Sequence, residues 1–232
     1  MLKRNIANAV TCLNLACGAL ACIAALSGAD GPWWGLTGIQ WAWILIGAAA
    51  IFDFADGFVA RILNTTSAIG KELDSLCDCI SFGLAPALML YSVMLATGAA
   101  QWVAFVAILI PIMGAVRLAR FNIDTRQTTT FIGLPIPASA IFWIGTGAWI
   151  LKHGYPGAGI MVILIVIMSL LMVSPLRMFS LKFKSLDVRE NFRRYVIILA
   201  AIIFVISDGV PGLAWLILLY ILISIFGRKN MA

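Results

Sequence analysis

Residues 51–63, IFDFADGFVARIL, decide how this sequence is interpreted. Most of the stretch is as apolar as a membrane-buried helix, yet Asp53 and Asp56 lie one turn apart and both carry negative charge. An aspartate at the centre of a membrane helix costs about 2.5–3.5 kcal/mol on insertion scales. Two such residues close together therefore need a function, or counter-charges, to explain them.

The composition around this stretch is typical of an integral membrane protein. Of the 232 residues, 62% are hydrophobic and 11% are charged, whereas a soluble domain is nearer half apolar and a quarter charged. We expect a single membrane domain over residues 1–232, because little sequence remains outside the apolar segments. The net charge of +6 does not indicate nucleic-acid binding, since the basic residues lie in short loops between apolar runs.

The apolar runs predict an all-α, polytopic bundle of about eight membrane-spanning helices, because about 20 apolar residues cross a bilayer. The predicted segments are 6–27, 38–62, 76–96, 101–121, 133–152, 157–177, 194–208 and 211–227. If the chain alternates across the membrane, all the basic residues except Lys152 fall on one side. This asymmetry predicts cytoplasmic N- and C-termini.

Four aspartates stand at helical spacing around the link between the second and third segments. Asp53 shares a helix face with the residues at offsets of three, four, seven and eight: Asp56, Gly57, Ala60 and Arg61. Asp74 and Asp78, four residues apart, share a face at the start of the third helix. Because a short link makes the two helices antiparallel neighbours, both pairs can converge near the cytoplasmic surface.

Such a pocket requires cations, because four carboxylates repel one another and Arg61 alone does not balance them. An all-oxygen shell suits Mg²⁺ or Mn²⁺, and two such ions suit a reaction at a phosphate. Two alternatives remain open. The acids can pair with nearby basic residues and only cap helices, or they can form the proton or ion relay of a membrane transporter.

The pattern Asp53-x-x-Asp56-Gly57-x-x-Ala60-Arg61, eight residues, Gly70-x-x-x-Asp74-x-x-x-Asp78 resembles the signature of the CDP-alcohol phosphatidyltransferases. Every fixed position of that signature is present. Other segments are similar to the bacterial, integral-membrane members that use L-serine: Asn8-x-x-Thr11, Asn14–Gly18, Ser81–Pro86, Arg117–Asn122 and Phe131–Pro137. Ala7 departs from the pattern, since many relatives have proline there.

The resemblance implies a transfer of a lipid phosphate from a CDP ester to an alcohol, with release of CMP. It implies that Asp53, Asp56 and Asp74 are metal ligands and that Asp78 is both a ligand and the general base. The cofactor it implies is Mg²⁺ or Mn²⁺, with two ions bound. The nucleotide contacts that it implies are Asn8, Thr11, Asp56, Gly57, Ala60, Arg61 and Gly70.

The resemblance also implies CDP-diacylglycerol as donor and L-serine as acceptor, with glycerol phosphate and inositol phosphate as rival acceptors. Arg117 and Arg120 share a face at the end of the fourth helix, where a guanidinium can bind the serine carboxylate. They can equally contact lipid headgroups or the substrate diphosphate, or only set topology. Arg126, on the loop that follows, is a further candidate. We expect membrane lipid and a second copy of the chain as partners, and an active site on the cytoplasmic side of a bacterial inner membrane.

Overall fold

The computed structural model describes residues 2–28, 34–62, 68–124, 130–179 and 187–226. These residues are largely helical. The α-helices are α1 (Leu2–Leu26), α2 (Gly38–Ile62), α3 (Ala68–Asp78), α4 (Ala85–Ala96), α5 (Gln101–Ala104), α6 (Leu109–Ile123), α7 (Ile136–His153), α8 (Ala158–Val173), α9 (Val188–Asp208) and α10 (Gly212–Phe226). A π-helical segment, Cys79–Leu84, joins α3 to α4, and a 3-10 turn, Phe105–Ile108, joins α5 to α6.

Within the described residues, four helical stretches are long and apolar enough to cross a membrane. They are Asn8–Leu26, Gly38–Val59, Ile69–Ala96 and Gln101–Ile123. The helices Ala158–Val173 and Gly212–Phe226 are apolar but shorter. The described chain is therefore a helical fold of the membrane type. Eight spans and cytoplasmic termini stay predictions, although each of the eight predicted segments coincides largely with helix.

The third helix begins earlier than the predicted segment 76–96. It begins at Ala68, because Lys71, Glu72 and Leu73 are good helix formers even though they interrupt the apolar run. Asp74 consequently lies inside a helix, in register with Asp78 one turn later. This register fixes where the two carboxylates lie relative to α2.

A small antiparallel sheet precedes the fifth helix, which begins later than the predicted segment 133–152. Strand β1 (Thr130–Ile132) pairs with β2 (Arg177–Phe179), with Phe131 opposite Met178. The helix begins only at Ile136, because Gly133 adopts a φ of 78° and Pro135 is extended. The sheet therefore ties the start of α7 to the chain that follows α8.

Helices α1 and α6 both contact α3 and the π-helical segment that follows it. Helix α1 packs against α2, α3 and α4, and α6 packs against the π-helical segment and α8. Gly18 of α1 permits a close approach to the π-helical segment, because a Cβ there would overlap Ser81 Oγ and lie 2.7 Å from Ser81 Cα. Small residues at such crossings are how membrane helices pack without a hydrophobic driving force between them.

Candidate active site

Three aspartates from α2 and α3 form a carboxylate triad. Asp53, Asp56 and Asp74 each offer one oxygen, and these oxygens lie within 4.8 Å of one another. Asp56 is 7% exposed, and the other two are half-buried. Asp53 and Asp74 approach each other within hydrogen-bonding range. The convergence follows from the three-residue spacing on α2 and from the packing of both α2 and α3 against α1.

Two buried oxygens of this triad have no hydrogen-bond partner among the described residues. Asp56 Oδ2 and Asp74 Oδ1 are buried, and neither accepts a hydrogen bond from the part of the chain that the structure describes. Asp56 is otherwise hydrogen-bonded by the Thr11 side chain and the Gly57 backbone N–H. Buried carboxylate oxygens without donors are costly, and an all-carboxylate donor set suits Mg²⁺ or Mn²⁺. The residues present therefore fit a divalent cation.

Asp78 lies outside the triad. It is 8% exposed, and Asn14 Nδ2 donates a hydrogen bond to Asp78 Oδ1 over 3.3 Å. It interacts electrostatically with Asp53 and Asp74, and with the Arg117 guanidinium. One helical turn along from Asp74, it stands where α3 gives way to the π-helical segment. The structure thus brings three of the four predicted carboxylates into one cluster and sets the fourth beside it.

The predicted nucleotide contacts lie along α1, α2 and α3. Asn8 is half-buried on α1, and Thr11 is buried and hydrogen-bonded to Asp56. Gly57 and Gly70 are half-buried on α2 and α3. The side chains of Ala60 and Arg61 lie outside the described residues, although their backbone continues α2.

The two arginines of α6 differ in their surroundings. Arg117 is 7% exposed and lies over the Phe121 ring at 5.7 Å from its centroid. Its Nε has no hydrogen-bond partner among the described residues. Arg120 is exposed, and its Nη1 donates to the Val173 carbonyl over 3.0 Å. Arg126, the third predicted arginine, lies outside the described residues.

Both described arginines line a cavity of about 570 Å³. Its other polar lining includes Asp124, directly after α6, and Ser174, directly after α8. Its walls are completed by Ile123, Ile132, Met172, Val173 and Pro175. Arg117 connects this cavity to the carboxylates, because it lines the cavity and also interacts with Asp78.

Three residues around the site received no role from the sequence. Asn14 was named only as part of the resemblance, and Asp124 was not singled out in the sequence. Tyr220 of α10 is buried, donates to the Phe179 carbonyl over 2.9 Å and interacts electrostatically with Arg117. No local signal distinguishes Tyr220, because α10 is apolar on all sides and shows no amphipathic face.

The helical membrane-type fold and the acidic cluster agree with a match to a known family. A sequence profile described as CDP-alcohol phosphatidyltransferase matches residues 4–174. This match covers more than half of the chain, and the chain therefore belongs to the CDP-alcohol phosphatidyltransferase family. The family resemblance predicted from the aspartate signature is confirmed.

Several curated proteins to which the chain is similar carry the name CDP-diacylglycerol–serine O-phosphatidyltransferase. The Helicobacter pylori protein (strain 26695) is 34% identical over 188 residues, which cover 79% of this chain and 77% of that protein. The Mycobacterium leprae protein is 47% identical over 117 residues, covering 47% of this chain and 38% of its own length. The Methanocaldococcus jannaschii protein is 46% identical over 101 residues, which cover 44% of this chain and 47% of that protein. The chain thus spans less than half of the last two relatives.

Proposed function

We propose that this chain transfers the phosphatidyl group of CDP-diacylglycerol to the hydroxyl of L-serine and releases CMP. The observation that carries the proposal is the triad of Asp53, Asp56 and Asp74 with its two unpartnered buried oxygens. Membership of the family and the printed names of the relatives support the reaction class and the acceptor.

The triad is the proposed holder of the divalent metal, with Mg²⁺ or Mn²⁺ as the ion and two ions as the expected number. Its all-carboxylate composition and its unpartnered oxygens support this assignment. A bound divalent ion would supply charge stabilisation for the phosphate oxygens during transfer. Asp78 has weaker support as a ligand, since it lies outside the triad.

Asp78 is the proposed general base. A serine hydroxyl is a weak nucleophile near neutral pH, and a carboxylate within hydrogen-bond reach can accept its proton as attack begins. The serine oxygen then forms a bond to the phosphorus that bears diacylglycerol. The bond from that phosphorus to the bridging oxygen breaks, and CMP leaves with the electron pair. The proton passes to the Asp78 carboxylate, so the step balances without a covalent enzyme intermediate.

The nucleotide end of the donor is proposed to lie along α1, α2 and α3. Gly57 and Gly70 are half-buried on α2 and α3, and the lack of a side chain at each position would let a ligand come close to the backbone. The proposed contacts are Asn8, Thr11, Asp56, Gly57, Ala60, Arg61 and Gly70.

The cavity lined by Arg117 and Arg120 is the proposed acceptor site. Serine carries a carboxylate and an ammonium, and the cavity is lined by guanidinium groups and by the Asp124 carboxylate. A buried guanidinium binds a carboxylate more strongly than an exposed one, so Arg117 is the first candidate for the serine carboxylate and Arg120 the second. Arg126 stays a weaker proposal.

The surroundings of the enzyme are proposed to be the bacterial inner membrane, with the site on its cytoplasmic side. The distribution of basic residues supports this orientation. Membrane lipid surrounds the apolar helices, and a homodimer is the proposed assembly.

The test is a labelled-serine assay with the purified protein and CDP-diacylglycerol, with Mg²⁺ or Mn²⁺ and with chelator. We expect labelled phosphatidylserine and an equal amount of CMP, both lost with chelator. Asp56→Asn should abolish both products, whereas Asp208→Asn, a charge-matched change on α9, should retain them. Labelling only from glycerol phosphate or inositol phosphate would refute serine as acceptor. Cation flux across sealed vesicles without CMP would refute the enzyme in favour of a transporter.

Arg117→Gln tests the acceptor site separately from the reaction. Loss of a charge-assisted hydrogen bond costs about 1.5–3 kcal/mol, which is roughly a 10- to 150-fold rise in KM for serine at constant KM for the lipid donor. Lys152→Gln, which also removes a cation but outside the site, should leave both KM values unchanged. A rise confined to the KM of the lipid donor would assign Arg117 to the diphosphate instead.

A further inference from the structure

Asn14 makes a buried, long-range contact with Asp78. It lies on α1 and is 0% exposed, and its Nδ2 donates to Asp78 Oδ1 over 3.3 Å. The two residues are 64 positions apart in sequence, so the bond depends on the packing of α1 against α3. A buried carboxylate needs hydrogen-bond donors, and α1 supplies one here.

A second hydrogen bond joins the backbone of α1 to the π-helical segment that directly follows Asp78. Ser81 Oγ donates to the Asn14 carbonyl oxygen over 3.1 Å, and Ser81 is 0% exposed. Gly18 makes room for this contact, since a side chain there would overlap Ser81. Ser81 thus holds the backbone of Asn14, while the side chain of Asn14 holds Asp78. Asp78 lies three residues before Ser81, at the end of α3.

The orientation of the Asn14 amide follows from the chemistry of its partner. An ionised carboxylate only accepts hydrogen bonds, so the amide nitrogen and not the amide oxygen must face Asp78. Asn14 Oδ1, on the other side, is buried without a donor among the described residues. One Asp78 oxygen is engaged by the amide, which leaves Oδ2 to accept a proton.

The helix geometry next to Asp78 makes an external anchor useful. The π-helical segment Cys79–Leu84 begins directly after Asp78. π-Helical turns widen the helix and redirect the side chains around them, and they occur frequently at functional sites. An anchor on α1 therefore fixes a carboxylate whose own helix changes its pitch at that point.

We propose that Asn14 is a positioning residue that orients the Asp78 carboxylate for proton transfer, while Ser81 and Gly18 fix Asn14 in place. The inference rests on the proposed function, because it assigns the proposed base its partner. Asn14 does not need to touch either substrate in this role. Its loss should therefore slow the chemical step and leave substrate and metal binding intact.

The experiment compares Asn14→Leu, which keeps a similar shape without the donor, with Asn14→Ala, which leaves space and should fold if Leu does not fit. We expect kcat to fall roughly 10- to 100-fold, a part of the 10²–10⁴-fold that a positioned base contributes. The KM values for serine and CDP-diacylglycerol, and the Mn²⁺ concentration for half-maximal activity, should stay close to those of the wild type. Asn191→Leu is the matched control, because Asn191 is a buried asparagine of α9 that is 1% exposed.

Unchanged kcat in both Asn14 variants would overturn the proposal, and so would a loss that appears mainly in KM or equally in Asn191→Leu. Experimental structures of the wild type and Asn14→Ala supply a readout that needs no activity. We expect the Asp78 side chain to change rotamer in the variant, and an unchanged rotamer would contradict the positioning role. If the wild type releases no CMP with any acceptor, the proposed reaction fails, and the Asp78 rotamer still decides the positioning role.

Discussion

Replacing Asp74 by asparagine should raise the stability of the metal-free protein and remove its response to metal. The three triad oxygens lie within 4.8 Å of one another. At an effective dielectric constant of about 20, each like-charged pair at this distance repels by about 3–4 kcal/mol. Asp74→Asn removes two of the three pairs, so about 6–8 kcal/mol of repulsion disappears if all three groups are ionised. Proton uptake or side-chain movement in the wild type would reduce the measured difference.

If only a third of that repulsion energy appears as added stability, the change in Tm is still large enough to measure. About 2 kcal/mol raises Tm by about 4–8 °C for a chain of this size, so we expect Asp74→Asn to melt above the wild type in chelator. Metal reverses the order, because a ligand at 100 times its Kd stabilises the folded state by about 2.7 kcal/mol. Melting of the purified protein followed with chelator and with Mn²⁺ should show a shift in the wild type that the variant lacks.

Asp208→Asn provides the control for this experiment. It removes an aspartate that already has a cation, since Lys152 Nζ lies 2.6 Å from Asp208 Oδ1. This variant should melt no higher than the wild type in chelator and should keep the full Mn²⁺ shift. The triad argument is refuted if Asp74→Asn melts below the wild type in chelator, or if it retains the Mn²⁺ shift.

Three further predictions concern packing, acid stability and the base. Gly145→Ala should lower the stability by about 1–3 kcal/mol in a melting experiment, because the added Cβ would overlap a backbone nitrogen of α10. Gly47→Ala is the control and should not lower the stability, because there is open space around Gly47. Equal effects of the two substitutions would contradict the close packing. The Lys152 hydrogen bond lowers the pKa of Asp208, so the pair stabilises fully above the ordinary aspartate pKa of about 3.9 and is lost as pH falls through the lowered value. Lys152→Ala should accordingly flatten Tm against pH in that acid range, and an unaltered curve would count against the pair. Asp78→Asn should lose CMP release and keep the Mn²⁺ shift in Tm; full activity would remove it as the base.

The helices and the carboxylate triad were predictable because each depends on local spacing. Apolar runs of sufficient length give helices in a membrane whatever their neighbours are. Asp53 and Asp56 share a face because they are three residues apart. Because the link to α3 is short, Asp74 is expected to lie close to them. The polar residues at the start of α3 concealed its first turns from a reading based on apolar runs alone.

The β1–β2 pairing and the contacts of Asp78 were not predictable in the same way. Each strand is three residues long, so an alternating pattern has no room to appear, and the partners are far apart in sequence. The bond between Asn14 and Asp78 depends on how closely α1 and α3 approach, which Gly18 and Ser81 decide jointly. Spacing along one helix carries no information about such a crossing.

The position of Asp78 beside the triad, and not within it, has a chemical consequence for the proposed reaction. A carboxylate that holds a divalent cation is stabilised in its ionised form, and it is therefore a poor acceptor for the proton of an alcohol. A base needs a carboxylate oxygen that lies close to the reacting phosphate and does not coordinate the metal ion. Asp78 is the proposed base because it lies outside the triad, and its Oδ1 accepts a hydrogen bond from the neutral Asn14 amide. It also interacts with Arg117, which lines the proposed acceptor cavity. In the proposed reaction, the four aspartates of one sequence signature therefore divide into three that hold the metal and one that accepts a proton.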